Sequence, residues 1–341
     1  MTEGLIDLSH GSGAAATERL IRKVILPRVS IRRALDGIGL DELADGASVK
    51  VGDFEIVSSI DGHTVQPIFF PGGDIGRLSV SGTTNDLAMM GARPVAVLDS
   101  LIIEEGFPVS KLERIIQSMN EAAEEISVAI IGGDLKVMPR GRIDQIVITT
   151  SGIGVARKGK TVIDSGASVG DKIIVTGPIG DHGTALLASR EGLSFETELK
   201  SDVAPIWETV EAALKTEGVT AMKDPTRGGL AMALNEIAQK SGISILMREK
   251  EIPIRDAVVA ASEMLGLDPL EITCEGVAII CVRPEVAEEA LDNIRKTRYG
   301  KMARMIGEVQ GREPGYVLME TAVGGTRVVE KPEGPPIPRV C

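Results

Sequence analysis

Aromatic residues are almost missing from this chain: one tryptophan, two tyrosines and five phenylalanines make up 2% of its 341 residues. The core must therefore be aliphatic. Cysteine is equally scarce, with only Cys274, Cys281 and Cys341 present. An odd number without CxxC spacing suggests neither a disulfide framework nor a zinc site, and a reducing cytoplasm is the expected compartment. No apolar stretch approaches the length needed to span a bilayer, so no membrane partner is expected. The start, MTEGLIDLSHGSG, lacks the basic opening and apolar run of a signal peptide. Positive charge is in deficit, with 37 Lys and Arg against 49 Asp and Glu and a net charge of -12. That balance argues against a nucleic acid as the main partner and suits carboxylates that hold cations. Two nucleotide signatures are missing as well: there is no GxxxxGK[ST], and no GxGxxG follows a strand. A nucleotide, if bound, is held by another scheme.

Glycine is what the chain has in excess, with 39 residues. Such a number fits tight turns and loops that turn backbone N–H groups toward phosphates. Apolar periodicity alternates between helix and strand along the whole chain. An amphipathic helix is expected over 15–28, an extended segment over 54–62, a helix rich in small residues over 76–94 and a strand over 95–103. A helix over 109–126, a short strand AIIGGD (129–134) and a strand over 144–156 follow. The polar, glycine-rich segment 157–171 is the expected domain boundary. Beyond it come strands at 171–177, 219–223, 243–247 and 276–282, helices at 180–192, 202–217, 227–242, 256–266 and 284–297, and short strands near 303–310 and 315–329. At this length two domains are the natural expectation, and the alternation points to two α/β domains.

The end of the chain is different. KPEGPPIPRVC (331–341) holds four prolines and no apolar periodicity. Proline fixes φ, so the segment is expected to be a stiff, semi-extended arm whose ten steps reach at most about 33 Å, with a thiol at its tip. By contrast Cys274 and Cys281 flank an apolar strand and read as small core residues.

Acidic residues recur where strands give way to loops: Asp61, Asp74 in PGGDIG, Asp86 in TTNDLAMMGA, Asp134 in IGGDLK and Asp224 in KDPTRGGL. Gathered together, such carboxylates could hold magnesium and its phosphate ligands. Each also has the plainer reading of a turn or helix-capping aspartate. Lys136 and Arg227 stand beside glycine loops, where a cation could meet a phosphate or a developing oxyanion. Among the histidines, His10 in HGSG and His63 are better placed than His182. Glu275 in CEG can be read as an acid or base, or as a salt-bridge residue.

Taken in order, HGSG (10–13), IDGHTVQPIFFPGGDIG (60–76), GTTNDLAMMGARP (82–94), IGGDLKV (131–137), GDHG (180–183), DPTRGGL (224–230), CEG (274–276) and the terminal PRVC (338–341) resemble the HypE family of hydrogenase maturation proteins over essentially the whole chain. The ND…GA[RK]P element alone is shared with a wider superfamily that includes aminoimidazole ribonucleotide synthetase, selenophosphate synthetase and thiamine-monophosphate kinase.

The resemblance implies an α/β (α+β) fold of two aminoimidazole ribonucleotide synthetase-like domains. A glycine-rich segment and helix (1–40) would precede an ATP-binding and dimerisation domain (41–157). A C-terminal domain (168–330) and a mobile tail (331–341) would follow. It implies an ATP-dependent dehydratase that converts a carbamoyl group on its own terminal cysteine to a thiocyanate, the source of cyanide ligands for the iron of nickel-iron hydrogenase. The implied partners are a second copy of the chain, the carbamoyltransferase HypF and the HypC–HypD scaffold. Carried over residue by residue, Cys341 would be the acceptor, with Lys136 and Glu275 handling protons beside it. Asp61, Asp86 and Asp224 would be the magnesium–phosphate carboxylates. Asn85, Asp134, Gly132, Gly133, Arg227, Gly228 and His10 would belong to the nucleotide site. Two positions depart from the family pattern: Ala14 stands where a glycine is usual, and Ile60-Asp61-Gly62 where Thr-Asp-Ser is common. A non-catalytic thiol carrier, and another ATP-using member of the superfamily, are the competing readings. Selenophosphate synthetase would be expected to carry a reactive cysteine near its N-terminus, and no cysteine precedes Cys274.

Overall fold

The computed structural model describes residues 5–11, 13, 15–192, 199–311 and 315–332. Cys341, Ser12 and Ala14 lie outside these described residues. Helix α1 (Ala15–Leu20) continues through a wide turn, Ile21–Ile25, and a tight turn, Leu26–Arg28. The N-terminal sheet region follows, with β1 (Ala47–Val51), β2 (Phe54–His63), a small hairpin of β3 (Phe69–Phe70) and β4 (Gly73–Asp74), and α2 (Ile75–Met89). It is completed by β5 (Arg93–Glu104), α3 (Val109–Glu125), β6 (Ala129–Met138) and β7 (Ile146–Arg157). Five strands form one sheet in the order β1-β2-β7-β5-β6. All neighbours are antiparallel except β5 and β6, whose parallel pairing needs the crossover that α3 supplies.

Burial along β7 alternates strictly between buried and half-buried residues, because helices cover only one face of this sheet. Ile75, Leu78, Val97, Ile115, Met119 and Ile148 pack together under that face. The other face is left open. On it Gly62, Thr149, Ser100 and Asp134 form one row across four strands, and Ile60, Ser151, Leu98 and Gly132 form the next. β6 runs on to Met138 rather than stopping at Asp134, since its parallel pairing with β5 continues past the glycines, and this makes Lys136 a strand residue opposite Ile102.

The C-terminal half contains β8 (Lys172–Val175), α4 (Asp181–Glu191), α5 (Trp207–Leu214), β9 (Val219–Lys223), α6 (Gly229–Ser241) and β10 (Ser244–Arg248). After them come α7 (Asp256–Leu265), β11 (Ile279–Val282), α8 (Ala287–Arg295), β12 (Arg304–Gln310), β13 (Val317–Glu320) and β14 (Thr326–Val328). Seven strands form a mixed sheet in the order β14-β13-β10-β12-β8-β11-β9. Every residue of β11 is buried, because α6 packs on one face of this sheet and α5 with α8 on the other. The apolar run IICV is the sequence mark of such two-sided burial. α5 begins at Trp207, five residues later than the expected 202, because contacts described below hold 202–206 out of the helix. Ala88 and Met89 of α2 join the core beneath α5 and α8, so the two halves share apolar packing. Among the described residues no helix is long and apolar enough to cross a membrane.

Candidate active site

Side chains two apart on a strand point the same way, so β2 presents Ser59, Asp61 and His63 together to α2. On α2, Thr83 and Asp86 are three residues apart and answer from one side of the helix. The Ser59 hydroxyl donates to Asp86 at 2.7 Å and lies 3.5 Å from Asp61, whose carboxylate also accepts from Thr83 at 3.2 Å. His63 is buried, with Nε2 3.2 Å from the Thr150 hydroxyl. Asp224 arrives from the C-terminal half, where β9 ends just before α6.

These residues open on a cavity of about 600 Å³ between the two halves, lined by Asp61, Asp86, Asp224, Arg227 and Glu275 among others. The electrostatics are those of crowded acids. Burial, then the neighbouring Asp61, Asp224 and Asp45, pushes Asp86 well above the usual carboxylate range. Asp224 is pushed up to about 7 by burial and Asp45, against the opposing pull of Lys223. Burial and the charges of Asp224 and Asp202 raise Glu275 well above its ordinary value, with Arg227 opposing. His63 is lowered to about 4 by burial, against the raising effect of Asp61, and Arg227 lowers it further.

Several supports fix this geometry. Asp202 accepts the backbone N–H of Glu275, at 3.2 and 3.3 Å, and of Gly276, at 3.1 Å. Asn85 is 2% exposed, donates to the carbonyls of Ala204 and Glu275, and accepts from the N–H of Ile206. It therefore ties α2 to the 202–206 segment and to Glu275. Gly228, at φ +68°, caps the start of α6 and sends Arg227 toward the cavity. Gly13, at φ +74°, lies against the aliphatic part of Arg227, so a side chain there would strain the backbone and displace Arg227, its Cβ sitting 1.8 Å from Cδ.

Not every candidate from the sequence meets here. Gly132, Gly133, Asp134 and Lys136 lie on the exposed edge strand β6, outside the cavity lining. His10 also lies outside it, with Nδ1 2.9 Å from Asp7. Asp74 is the N-cap of α2, accepting from the N–H of Arg77 at 3.0 Å, which is the plainer of its two readings. Cys274 and Cys281 are buried, and burial pushes both thiols up. The cavity also recruits residues that sequence reasoning passed over: Glu18, Asp45, Ser59, Lys223, Glu236, Lys240 and Lys331. Ser59 had a signal, its alternation with Asp61. Lys223 directly precedes Asp224 in KDPTRGGL, while the others come from distant segments and carried none.

A divalent cation fits this chemistry. Asp224 Oδ2 is buried without a hydrogen-bond partner among the described residues, and burial, with neighbouring acids adding to it, holds both Asp86 and Asp224 up. Among the described residues no three His, Cys, Asp or Glu side chains close on an ion by themselves. Magnesium takes one or two protein carboxylates and completes its shell with water and phosphate oxygens, a role that Asp61, Asp86 and Asp224 could serve.

Both halves match family models: residues 43–156 match the N-terminal domain and residues 168–320 the C-terminal domain of the AIR synthase related proteins. Fold and cleft together thus define a two-domain protein of the AIR synthase related class. A provisionally named hydrogenase expression/formation protein of Methanocaldococcus jannaschii is 52% identical over 97% of this chain and 98% of its own length. Carbamoyl dehydratase HypE of Azotobacter vinelandii is 42% identical over 100% of this chain and 98% of its own. The crystal structure of a HypE–HypF complex superposes with a TM-score of 0.85 at 40% identity, covering 92% of this chain and 99% of that one. A HypE crystal structure in complex with ATP gives 0.81 at 40% identity, covering 97% and 98%. The chain belongs to the HypE family.

Proposed function

We propose that this chain is a carbamoyl dehydratase that uses ATP to convert a carbamoyl group on Cys341 to a thiocyanate. The observation that carries the reading is the cleft: carboxylates from β2, α2 and the β9–α6 loop line one cavity with Glu275, and Lys331, at the root of the C-terminal arm, lines it too. Ten steps of chain lead from Lys331 to Cys341, a reach of at most about 33 Å, which lets the thiol enter the cavity and also leave it.

The reaction balances as R–S–C(O)NH₂ + ATP → R–S–C≡N + ADP + phosphate, the carbamoyl oxygen leaving with phosphate. ATP supplies the leaving group that an amide oxygen lacks, and magnesium, held by Asp61, Asp86 and Asp224, screens its charge. The chain's own residues do the rest. Arg227 faces the acids across the cavity. Glu275, whose carboxyl is raised well above its ordinary range by burial and then by Asp224 and Asp202, lines the same cavity and would exchange a proton with the carbamoyl nitrogen. Tethering makes the encounter of thiol-bound carbamoyl group and ATP intramolecular.

The open sheet face supports a homodimer. Phe54, Ile60 and Leu98 are 51%, 69% and 38% exposed on it. Pairing through this face would cover them, and would bring Gly132, Gly133, Asp134 and Lys136 to a second copy's nucleotide, a placement their own cavity does not offer. Lys136 would then act on the carbamoyl nitrogen beside Glu275. HypF as the source of the carbamoyl group, the HypC–HypD scaffold as the acceptor of the cyano group, and a cytoplasmic setting complete the reading. Support for HypF comes from the relative crystallised with it.

The test uses carbamoylated full-length protein with ATP and magnesium. Intact mass should fall by one water per chain while ADP forms, and Cys341→Ala should abolish product while still binding ATP. Unchanged mass without ADP would make the chain a passive thiol carrier.

A further inference from the structure

We infer that Lys331 is a positioning residue that fixes the root and launch direction of the C-terminal arm at the wall of the cleft; the inference rests on the dehydratase reading. The chain before the arm is pinned at successive points. The N–H of Val329 donates to the Val317 carbonyl at 2.8 Å. Its carbonyl accepts from Asn235 of α6 at 3.0 Å, and its side chain is 3% exposed. Two residues on, the Lys331 ammonium lies 3.3 Å from Glu18 of α1 and 3.6 Å from Glu236 of α6. Glu18, Glu236 and Lys331 all line the cleft, so the clasp forms part of its wall. Lys331 is only 19% exposed, which limits the screening that weakens most surface ion pairs. Glu236 also meets Lys223 at 3.3 Å, and Lys223 meets Asp45 at 2.7 Å, so the clasp is continuous with the charged lining of the site.

Backbone chemistry adds direction to this anchor. Pro332 follows, and the residue before a proline is confined to extended conformations. With its side chain held from two sides and its backbone so restricted, Lys331 sets where a proline-stiffened arm points. Length alone matters little: moving the anchor back two residues to Val329 lengthens a flexible tether from ten to twelve residues and lowers effective concentration by only about a quarter. A stiff arm launched in the wrong direction loses far more, because the reacting atoms miss each other. Glu18 and Glu236 are therefore assigned to the same role, joining the N-terminal helix and α6 to the root of the arm.

Trp207, the single tryptophan, allows a direct test. It packs at the start of α5 against the core cluster that includes Ala88 and Met89, so it is a fixed donor in the folded body. Cys274 and Cys281 are buried, so a thiol-reactive energy acceptor is directed to Cys341. In the full-length chain, Lys331→Glu should shift Trp207-to-acceptor transfer and broaden the donor lifetimes, whereas Lys331→Arg should keep the native values. In a single turnover of carbamoylated protein, Lys331→Glu should slow dehydration about tenfold with the KM for ATP unchanged. Pairing it with Glu18→Lys should recover part of the rate. Unchanged energy transfer in Lys331→Glu overturns the anchor, as does a raised KM for ATP with an unchanged turnover rate, which would make Lys331 a nucleotide contact. If the native chain itself does not dehydrate, the dehydratase reading falls, while the transfer measurement still decides whether Lys331 holds the tail.

Discussion

Replacing Asn85 by alanine separates two roles that the sequence leaves superimposed, a nucleotide ligand and a structural tie. The side chain is 2% exposed and makes three hydrogen bonds, to the carbonyls of Ala204 and Glu275 and from the N–H of Ile206. Each such bond is worth about 1 kcal/mol net, so losing three costs about 3 kcal/mol. The alanine leaves those groups buried and unpaired, which moves the cost toward about 5 kcal/mol. Asn85→Asp should be no milder: it keeps the acceptor for Ile206 but sets a carboxylate against two carbonyl oxygens. Urea unfolding with and without ATP is the assay. The expected result is a lower midpoint for Asn85→Ala in both conditions, with ATP still stabilising whatever fraction is folded. A stability loss below about 1 kcal/mol together with abolished ATP binding would refute the structural tie and return Asn85 to the nucleotide.

Two further outcomes follow from the same geometry. Asp202 is raised from 3.8 to about 7, first by burial and then by Asp181, against the N–H groups of Glu275 and Gly276 that favour its charge. The folded protein thus holds a proton that the unfolded chain releases near 3.8, so Asp202 contributes stability in acid that is lost as pH rises from about 4 through about 7. Asp202→Asn should flatten that part of the stability–pH curve in ligand-free protein, and an unchanged slope would rule out Asp202 as its source. Leu98→Glu, in the centre of the open sheet face, should convert a dimer to a monomer by light scattering, and a native chain that is already monomeric would remove the homodimer from the proposal.

Much of the secondary structure was legible because its causes are local. The unbroken apolar run of β11 is written in the sequence and reports two-sided burial, whereas the one-sided burial of β7 is not, since its half-buried Val147, Ile153 and Val155 are as apolar as the residues it buries. Boundaries were less legible. β6 outruns Asp134 because a neighbouring strand continues to pair with it, and α5 starts late because Asp202 and Ile206 are spent on bonds to Glu275, Gly276 and Asn85. Asp74 shows the opposite case, a glycine-flanked acid that a local cap fully explains.

What the sequence determined by itself is the inventory: ordered motifs of one family, acids at strand and helix ends, and a lone thiol closing a proline-rich arm. Those features depend on neighbours a few residues away. Only the tertiary structure decided which of the acids share a cavity. Asp61 and Glu275 lie more than two hundred residues apart, with Asp86 and Asp224 between them, and packing between the two halves collects all four, while Asp134 and Lys136 are left on an open sheet face. The same packing draws Lys331 against Glu18 across more than three hundred residues and puts the root of the arm at the cleft. Charge and burial act through space, so the elevated carboxyls of Asp86, Asp224 and Glu275 exist only once the chain has folded around them.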